Sequence, residues 1–128
     1  QFVSNSYGTP RAYVEQQLER GMNVILDIEV QGARNIVNMI PDAVSVYMIP
    51  PSYEELEKRL RGRGTETEEQ IQGRLQTAVK EAEAADFYRY IIVNDNLETA
   101  VKELDAIMTA EKIGYNNRKN ILKEVFKL

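Results

Sequence analysis

Three short aliphatic runs alternate with segments of helical periodicity, and this alternation restricts the possible architectures more than any other feature of the chain. The runs are Asn23-Val24-Ile25-Leu26-Asp27-Ile28, Ala43-Val44-Ser45-Val46-Tyr47-Met48-Ile49 and Tyr90-Ile91-Ile92-Val93. Each is too short for a helix and lacks clean apolar–polar alternation, which is the pattern of a strand covered on both faces. Strands separated by helices need crossover connections and therefore pair in parallel. The sequence thus predicts an α/β fold: a parallel sheet of about three strands with flanking helices.

The helix signals are local and specific. Thr9-Pro10 precedes Tyr13, Val14, Gln17 and Leu18 and predicts a helix over 10–20 that stops at Gly21. A second helix, over 31–39, closes at Pro41. Ser52-Tyr53-Glu54-Glu55 is a capping box whose helix carries Leu56 and Leu60 on one face and reaches Gly62. Thr67-Glu68-Glu69-Gln70 is another, opening a helix over 67–84 with Ile71, Leu75, Ala78, Val79 and Ala82 at helical spacing. Asn94-Asp95-Asn96 caps a helix through Ala100, Leu104 and Met108, and 111–128 reads as one further amphipathic helix. Ligands of such folds sit at the C-terminal ends of the strands, so Glu29, Pro50-Pro51 and Asn94-Asp95 fall on the expected functional rim.

Composition narrows the chemistry. A chain of 128 residues is one domain's worth, and no apolar run approaches the roughly 20 residues of a membrane span. It is expected to be soluble and cytoplasmic, without a membrane or nucleic-acid partner, since a formal net charge of −4 lacks the broad basic surface that counterion release requires. With no cysteine and no histidine, thiolate sites, imidazole ligands and histidine acid–base catalysis are excluded.

Against this acidic background, Lys58-Arg59-Leu60-Arg61-Gly62-Arg63-Gly64-Thr65-Glu66-Thr67, followed by Arg74, concentrates guanidinium groups around glycine. Arg59 and Arg63 stand four apart and share a helix face, and Arg74 can join them from the next helix as a phosphate clamp. A solvated helix C-terminus is the plainer reading for an isolated Arg-Gly-Arg. Asp27 and Glu29 lie on one face of an extended segment and suit hydrogen bonding to a substrate, ordering of Mg²⁺ waters or general-base work. For Glu29 alone, an exposed strand-end carboxylate is the plainer reading, whereas Asp27 lies within an apolar run and is expected to need a partner. Asn5-Ser6-Tyr7-Gly8-Thr9 precedes a helix N-terminus that favours anions, with hydroxyls at Tyr7 and Thr9. Thr9 taken alone is an ordinary N-cap.

Taken in order, Asn5-Ser6-Tyr7-Gly8-Thr9-Pro10, Leu26-Asp27-Ile28-Glu29-Val30-Gln31-Gly32, Pro50-Pro51-Ser52, Arg59 to Thr67 and Val93-Asn94-Asp95 closely resemble guanylate kinase up to about Met108. The resemblance implies transfer of the γ-phosphoryl group of ATP to GMP with Mg²⁺, giving ADP and GDP. It also implies roles for residues: Tyr7, Thr9, Asp27 and Glu29 on the GMP side, with Asp27 close to the metal through water. Arg59, Arg63 and Arg74 would be lid arginines closing over the exchanged phosphates, and Asn94 would lie near the adenine of ATP. Residues 1–22 would be a remnant of the GMP-binding region, 52–84 the lid with its helical arms, and the rest core of a single domain truncated at its N-terminus.

One departure is large. G-x-x-x-x-G-K-[ST] is absent, and none of the seven glycines is followed by lysine. The resemblance therefore implies the C-terminal portion of a P-loop nucleoside-monophosphate kinase fold, incomplete and inactive by itself. Missing a strand between those at 23–28 and 43–49, it is expected to self-associate through exposed sheet edges or to be poorly stable. The alternative is a catalytically silent guanylate-kinase-like module that binds protein, which would have no need to keep a phosphate clamp.

Overall fold

A computed structural model describes residues 11–128, so Tyr7, Thr9 and the Thr9-Pro10 helix start lie outside the described residues. The chain divides into two compact units at Ala43–Val44.

In the first unit, α1 (Arg11–Glu19) ends in a Schellman turn. Gly21 N–H donates to Leu18 O at 3.0 Å and Met22 N–H to Gln17 O at 3.1 Å. The turn needs a left-handed residue, and Gly21 supplies it with φ 81°. Helix α2 (Val30–Met39) follows and buries Val30 and Ala33. Between them the expected strand at 23–28 is not part of the sheet. Val24, Leu26 and Ile28 are half-buried while Asn23, Ile25 and Asp27 face solvent, Ile25 being 72% exposed. A strand covered on both faces needs ladder neighbours and two packed layers, and the described residues of this unit supply neither. Among the described residues the parallel sheet therefore has two strands where the sequence predicted about three.

The second unit contains that sheet. Strand β1 (Val46–Ile49) leads into α3 (Tyr53–Gly62) and α4 (Glu68–Glu83), and the chain returns through a single 3₁₀ turn (Ala85–Phe87) to β2 (Tyr90–Val93). The pairing is parallel, in the register Val46↔Tyr90 to Ile49↔Val93, as the helical crossover demands. Asn94 N–H extends the ladder to Ile49 O at 2.7 Å. Both helices of the crossover begin where their caps predict. Ser52 Oγ accepts from Glu55 N–H, and Thr67 and Gln70 form a reciprocal capping box.

These caps set the helical phase that turns Leu56 and Leu60 toward Ile71 and Leu75. Leu60, Ile71 and Leu75 form the buried core of the hairpin, with Leu56 packed against it. Ile92 on β2 and Ala100 on α5 (Leu97–Lys112) are also buried. The tail is not the continuous helix predicted over 111–128. Gly114, a poor helix former, interrupts it, leaving the short helices α6 (Tyr115–Arg118) and α7 (Asn120–Phe126).

Leu75 is 1% exposed and contacts both helices of the hairpin core. Leu75→Ala should cost about 2–5 kcal/mol, the usual range for emptying a buried leucine site. Ile91→Thr, at a position 64% exposed, should change stability by less than about 1 kcal/mol. Urea unfolding followed by circular dichroism measures both, and equal effects would show that the hairpin core is not where the packing energy resides.

Candidate functional site

Helix α3 places its arginines in alternation, each backed by a glutamate four residues earlier. Arg59 Nε donates to Glu55 Oε2 at 3.1 Å, and its Nη2 donates to the backbone carbonyl of Asn94 at 3.1 Å. The structure thus brings together Arg59 and Asn94, using the main chain of Asn94 at the C-terminal end of β2. Asn96, two residues on, caps α5 by accepting from Thr99 N–H.

Arg63 is the C-cap of α3 and retains helical dihedrals, so it stays on the face of Arg59. Its side chain is exposed and has no partner among the described residues. Gly64 then turns the chain with φ 64°, its N–H donating to Arg61 O at 3.1 Å. Arg74 reaches back from α4 to the carboxylate of Glu66. The two partners differ in exposure: the Arg74 side chain is 55% accessible and that of Glu66 11%. Both line an open groove of about 580 Å³ with Leu56, Leu60, Gln70 and Glu81. Arg59 and Arg63 do not line it.

Arg61, which the clamp reading leaves out, has the densest set of contacts. It donates to Glu57 Oε2 from Nε at 3.0 Å and Nη2 at 2.8 Å, and to Glu68 from Nη1 at 2.5 Å and Nη2 at 2.9 Å. Gln72 Nε2 adds a hydrogen bond to Glu68 Oε2 at 2.9 Å. Hydrogen bonds to Arg61, then to Gln72, hold the Glu68 carboxyl down to about 2, and hydrogen bonds to Glu68, then to Glu57, hold the Arg61 guanidinium above its ordinary value. The Glu57/Arg61 spacing was legible as an i,i+4 pair, but the link to Glu68 crosses a turn and leaves no periodic trace.

In the first unit, Glu29 is not a free strand-end carboxylate. It is the N-cap of α2, accepting from Gln31 N–H at 3.0 Å and Gly32 N–H at 2.6 Å. A Cβ at position 32 would stand 2.7 Å from Glu29 Oε1, so glycine is what lets the carboxylate close on the amide. Asp27 is exposed and has no partner among the described residues, contrary to the expectation that it needs one. The open side of the 23–28 segment leaves it in water, where a lone carboxylate costs nothing.

Other polar contacts serve the fold. Glu111 accepts from Arg89 Nη1 at 2.8 Å and Tyr90 OH at 2.5 Å, tying the N-terminal end of β2 to α5. That hydrogen bond raises the Tyr90 phenol; burial, followed by the charge of Glu81, raises Tyr47. Among the described residues, no group of three or more potential ligands converges on a metal position, and no helix is long and apolar enough to cross a membrane.

Comparison with known proteins adds the missing frame. A family model described as Guanylate kinase matches residues 1–111. A guanylate kinase of Synechococcus sp. (strain JA-3-3Ab) is 51% identical over 108 residues, covering 84% of this chain and 50% of the relative. One from Clostridioides difficile (strain 630) is 42% identical over 127 residues, covering 99% of this chain and 62% of the relative. The chain therefore spans about half to three-fifths of the length of such curated relatives. In structure, it resembles the crystal structure of guanylate kinase from Anaplasma phagocytophilum, with a TM-score of 0.63 at 21% identity, over 100% of this chain and 77% of that one. At that identity the likeness establishes the fold.

The Arg61–Glu68 contact has a pH signature. The folded Glu68 carboxyl lies below its ordinary value of 4.5, so the stability it contributes is complete above about 4.5 and is lost as pH falls through about 2. A side-chain carboxyl NMR titration should give Glu68 a midpoint near 2, and Arg61→Gln should return it toward the ordinary range. A wild-type midpoint near 4.5 would mean that the contact does not persist in solution.

Proposed function

The chain belongs to the guanylate kinase family, and from that membership we propose that the protein carrying this sequence transfers the γ-phosphoryl group of ATP to GMP, giving ADP and GDP. The carrying observation is the state of the arginines on the α3–α4 hairpin. Arg59, Arg61 and Arg74 each meet a carboxylate, whereas Arg63, on the same hairpin, meets none among the described residues. An exposed, unneutralised guanidinium beside a glycine turn is ready to receive an anion without first giving up a partner.

In this proposal Arg63 takes the phosphoryl group in flight. Arg59 joins it from the same helix face, and Arg74 joins on release from Glu66. Asn94 lies by the adenine, its carbonyl already fixed by Arg59, while Tyr7, Thr9, Asp27 and Glu29 serve the GMP side. Glu29 can do so only with the oxygen lone pairs its cap leaves unused, since both oxygens already accept an amide.

Such chemistry suits a chain without histidine. Phosphoryl transfer needs little covalent participation from the protein; positioning and neutralisation of the equatorial oxygens supply most of the rate. Mg²⁺ is proposed as the metal, carried in on the nucleotide phosphates, where it would neutralise developing charge. The described residues do not converge into a cage of their own, and Asp27, exposed and without a partner among the described residues, suits contact through water. We also propose that the 128 residues by themselves hold ATP weakly, because they contain no glycine–lysine phosphate loop. The exposed aliphatic side chains of the short sheet, Ile91 and Val93 among them, support self-association as a further property.

In the full-length protein, Arg63→Ala should lower kcat by about 10²–10³-fold while changing the KM for GMP only a few-fold, as for loss of a donor used in the transition state. A coupled assay of GDP formation from ATP, Mg²⁺ and GMP measures both. An unchanged kcat would remove Arg63 from the clamp, and absence of GDP from the wild type would remove the kinase reading itself. For the isolated chain, titration calorimetry should show no micromolar ATP affinity.

A further inference from the structure

We propose that Arg61 is a positioning residue: it fixes the angle between α3 and α4 and thereby holds the phosphate-facing arginines in register, without touching substrate. The inference rests on the kinase reading above but concerns a residue to which that reading gives no role.

Three observations carry it. The first is direction. At about 100° per residue, Arg59 and Arg63 lie about 40° apart around α3, and Arg61 lies about 160° from each, on the opposite side. Consistently, Arg61 lines a separate surface depression with Glu54, Glu57 and Lys58, away from the groove that Arg74 lines. The second is occupancy. A guanidinium has five N–H donors. Nε, Nη1 and both donors of Nη2 already serve Glu57 and Glu68, and an approaching phosphate would meet two carboxylates there.

The third is connectivity. Glu57 belongs to α3 and Glu68 to the first turn of α4, so one planar group spans both helices with fixed geometry. The covalent link, residues 63–67, follows Gly62 at the end of α3 and contains Gly64, and is compliant by composition. Leu60, Ile71 and Leu75 hold the helices together, but apolar contact is non-directional and tolerates sliding and rocking. The bidentate Arg61–Glu68 contact is the directional element across the turn. Being exposed, it adds little to stability, so its effect should appear in geometry and rate.

The test uses the full-length protein with Arg61→Gln, Glu68→Gln and the double variant. Each single variant should lower kcat about tenfold, with KM for ATP and GMP within about twofold, because small misplacements of catalytic groups are costly in rate. The double variant should be no worse than either single one, since both remove the same contact. Thermal midpoints should shift by no more than about 2 °C, in line with loss of a surface contact. These 128 residues contain no cysteine, so, with any cysteine elsewhere in the full-length protein replaced by serine, spin labels placed through Lys58→Cys and Gln76→Cys report the α3–α4 distance directly. The distance distribution should be narrow in the parent and broad in both Arg61→Gln and Glu68→Gln.

Loss of kcat in Arg61→Gln with full activity in Glu68→Gln would overturn the proposal in favour of direct phosphate contact. Unchanged kcat in both, or an unchanged distance distribution, would overturn it outright. A large fall in thermal midpoint without a fall in kcat would make Arg61 purely structural. If the parent forms no GDP, the kinase reading fails while the spin-label distances still decide whether Arg61 sets the hairpin angle.

Discussion

Packing of Leu60 against Ile71 and Leu75 determines where every charged group on the hairpin can stand. Helical phase is inherited from the caps: Ser52 starts α3 and Thr67 starts α4, and each start rotates an i,i+4 aliphatic pair inward. Once Leu56 and Leu60 face Ile71 and Leu75, the rest follows from the 3.6-residue period. Arg59 and Arg63 fall on one flank of α3, Arg61 on the other, and Arg74, one residue before Leu75, beside the groove. A shift of either cap by a residue would rotate the guanidinium groups by about 100°. The placement of the guanidinium groups is thus written in serine, threonine and leucine as much as in arginine.

The carboxylates of the hairpin resolve a conflict that the arginines create. Several guanidinium groups on adjacent turns repel one another, and the proposed phosphate site would need them close. Glu55, Glu57, Glu66 and Glu68 neutralise three of those groups locally without sharing a single geometry. Glu68 is largely open to water, so its contact is screened, and what it contributes is direction. Glu66 is shielded, with 11% of its side chain accessible, so its attraction for Arg74 is screened less. Arg74 is thus held against a carboxylate in a sheltered place, whereas Arg63 meets no carboxylate among the described residues.

Local signals were legible in the sequence, and relational ones were not. Capping residues, i,i+4 spacing and Gly21 gave the starts of α3, α4 and α5, the core side chains of the α3–α4 hairpin and the α1 terminus because each depends on a few neighbouring residues. The parallel pairing of β1 with β2 followed from connection length. The segment at 23–28 misled because aliphatic composition reports a tendency to be covered, and ladder formation depends on whether a neighbouring strand is present. Asp27 misled for the same reason: a carboxylate is costly in a buried strand, and the segment is open on that side. Glu29 looked like a strand-end acid because a glutamate N-cap is unusual, and the glycine that makes it workable lies three residues on. The Arg61–Glu68 and Arg59–Asn94 contacts join residues across a turn and across a crossover, and no periodicity encodes either.

The two-stranded ladder places residues more than it stabilises them. A pair of short parallel strands is marginal by itself, and Ile91 and Met48 remain 64% and 48% exposed beside the buried Ile92. Packing energy in this unit must then come from α3, α4 and α5, whose buried residues are Leu60, Ile71, Leu75 and Ala100. The ladder instead aligns two chain exits. Ile49 O accepts from Asn94 N–H, so the end of β1, which leads to the Ser52 cap, is registered against the end of β2, which presents Asn94 O to Arg59. A one-residue slip would carry the Asn94 carbonyl roughly 3.3 Å along the strand, beyond hydrogen-bond reach of a guanidinium that α3 holds fixed. Register in this short sheet is therefore enforced by an arginine at its end as well as by the aliphatic residues within it, and the same contact that locates Asn94 locates the sheet.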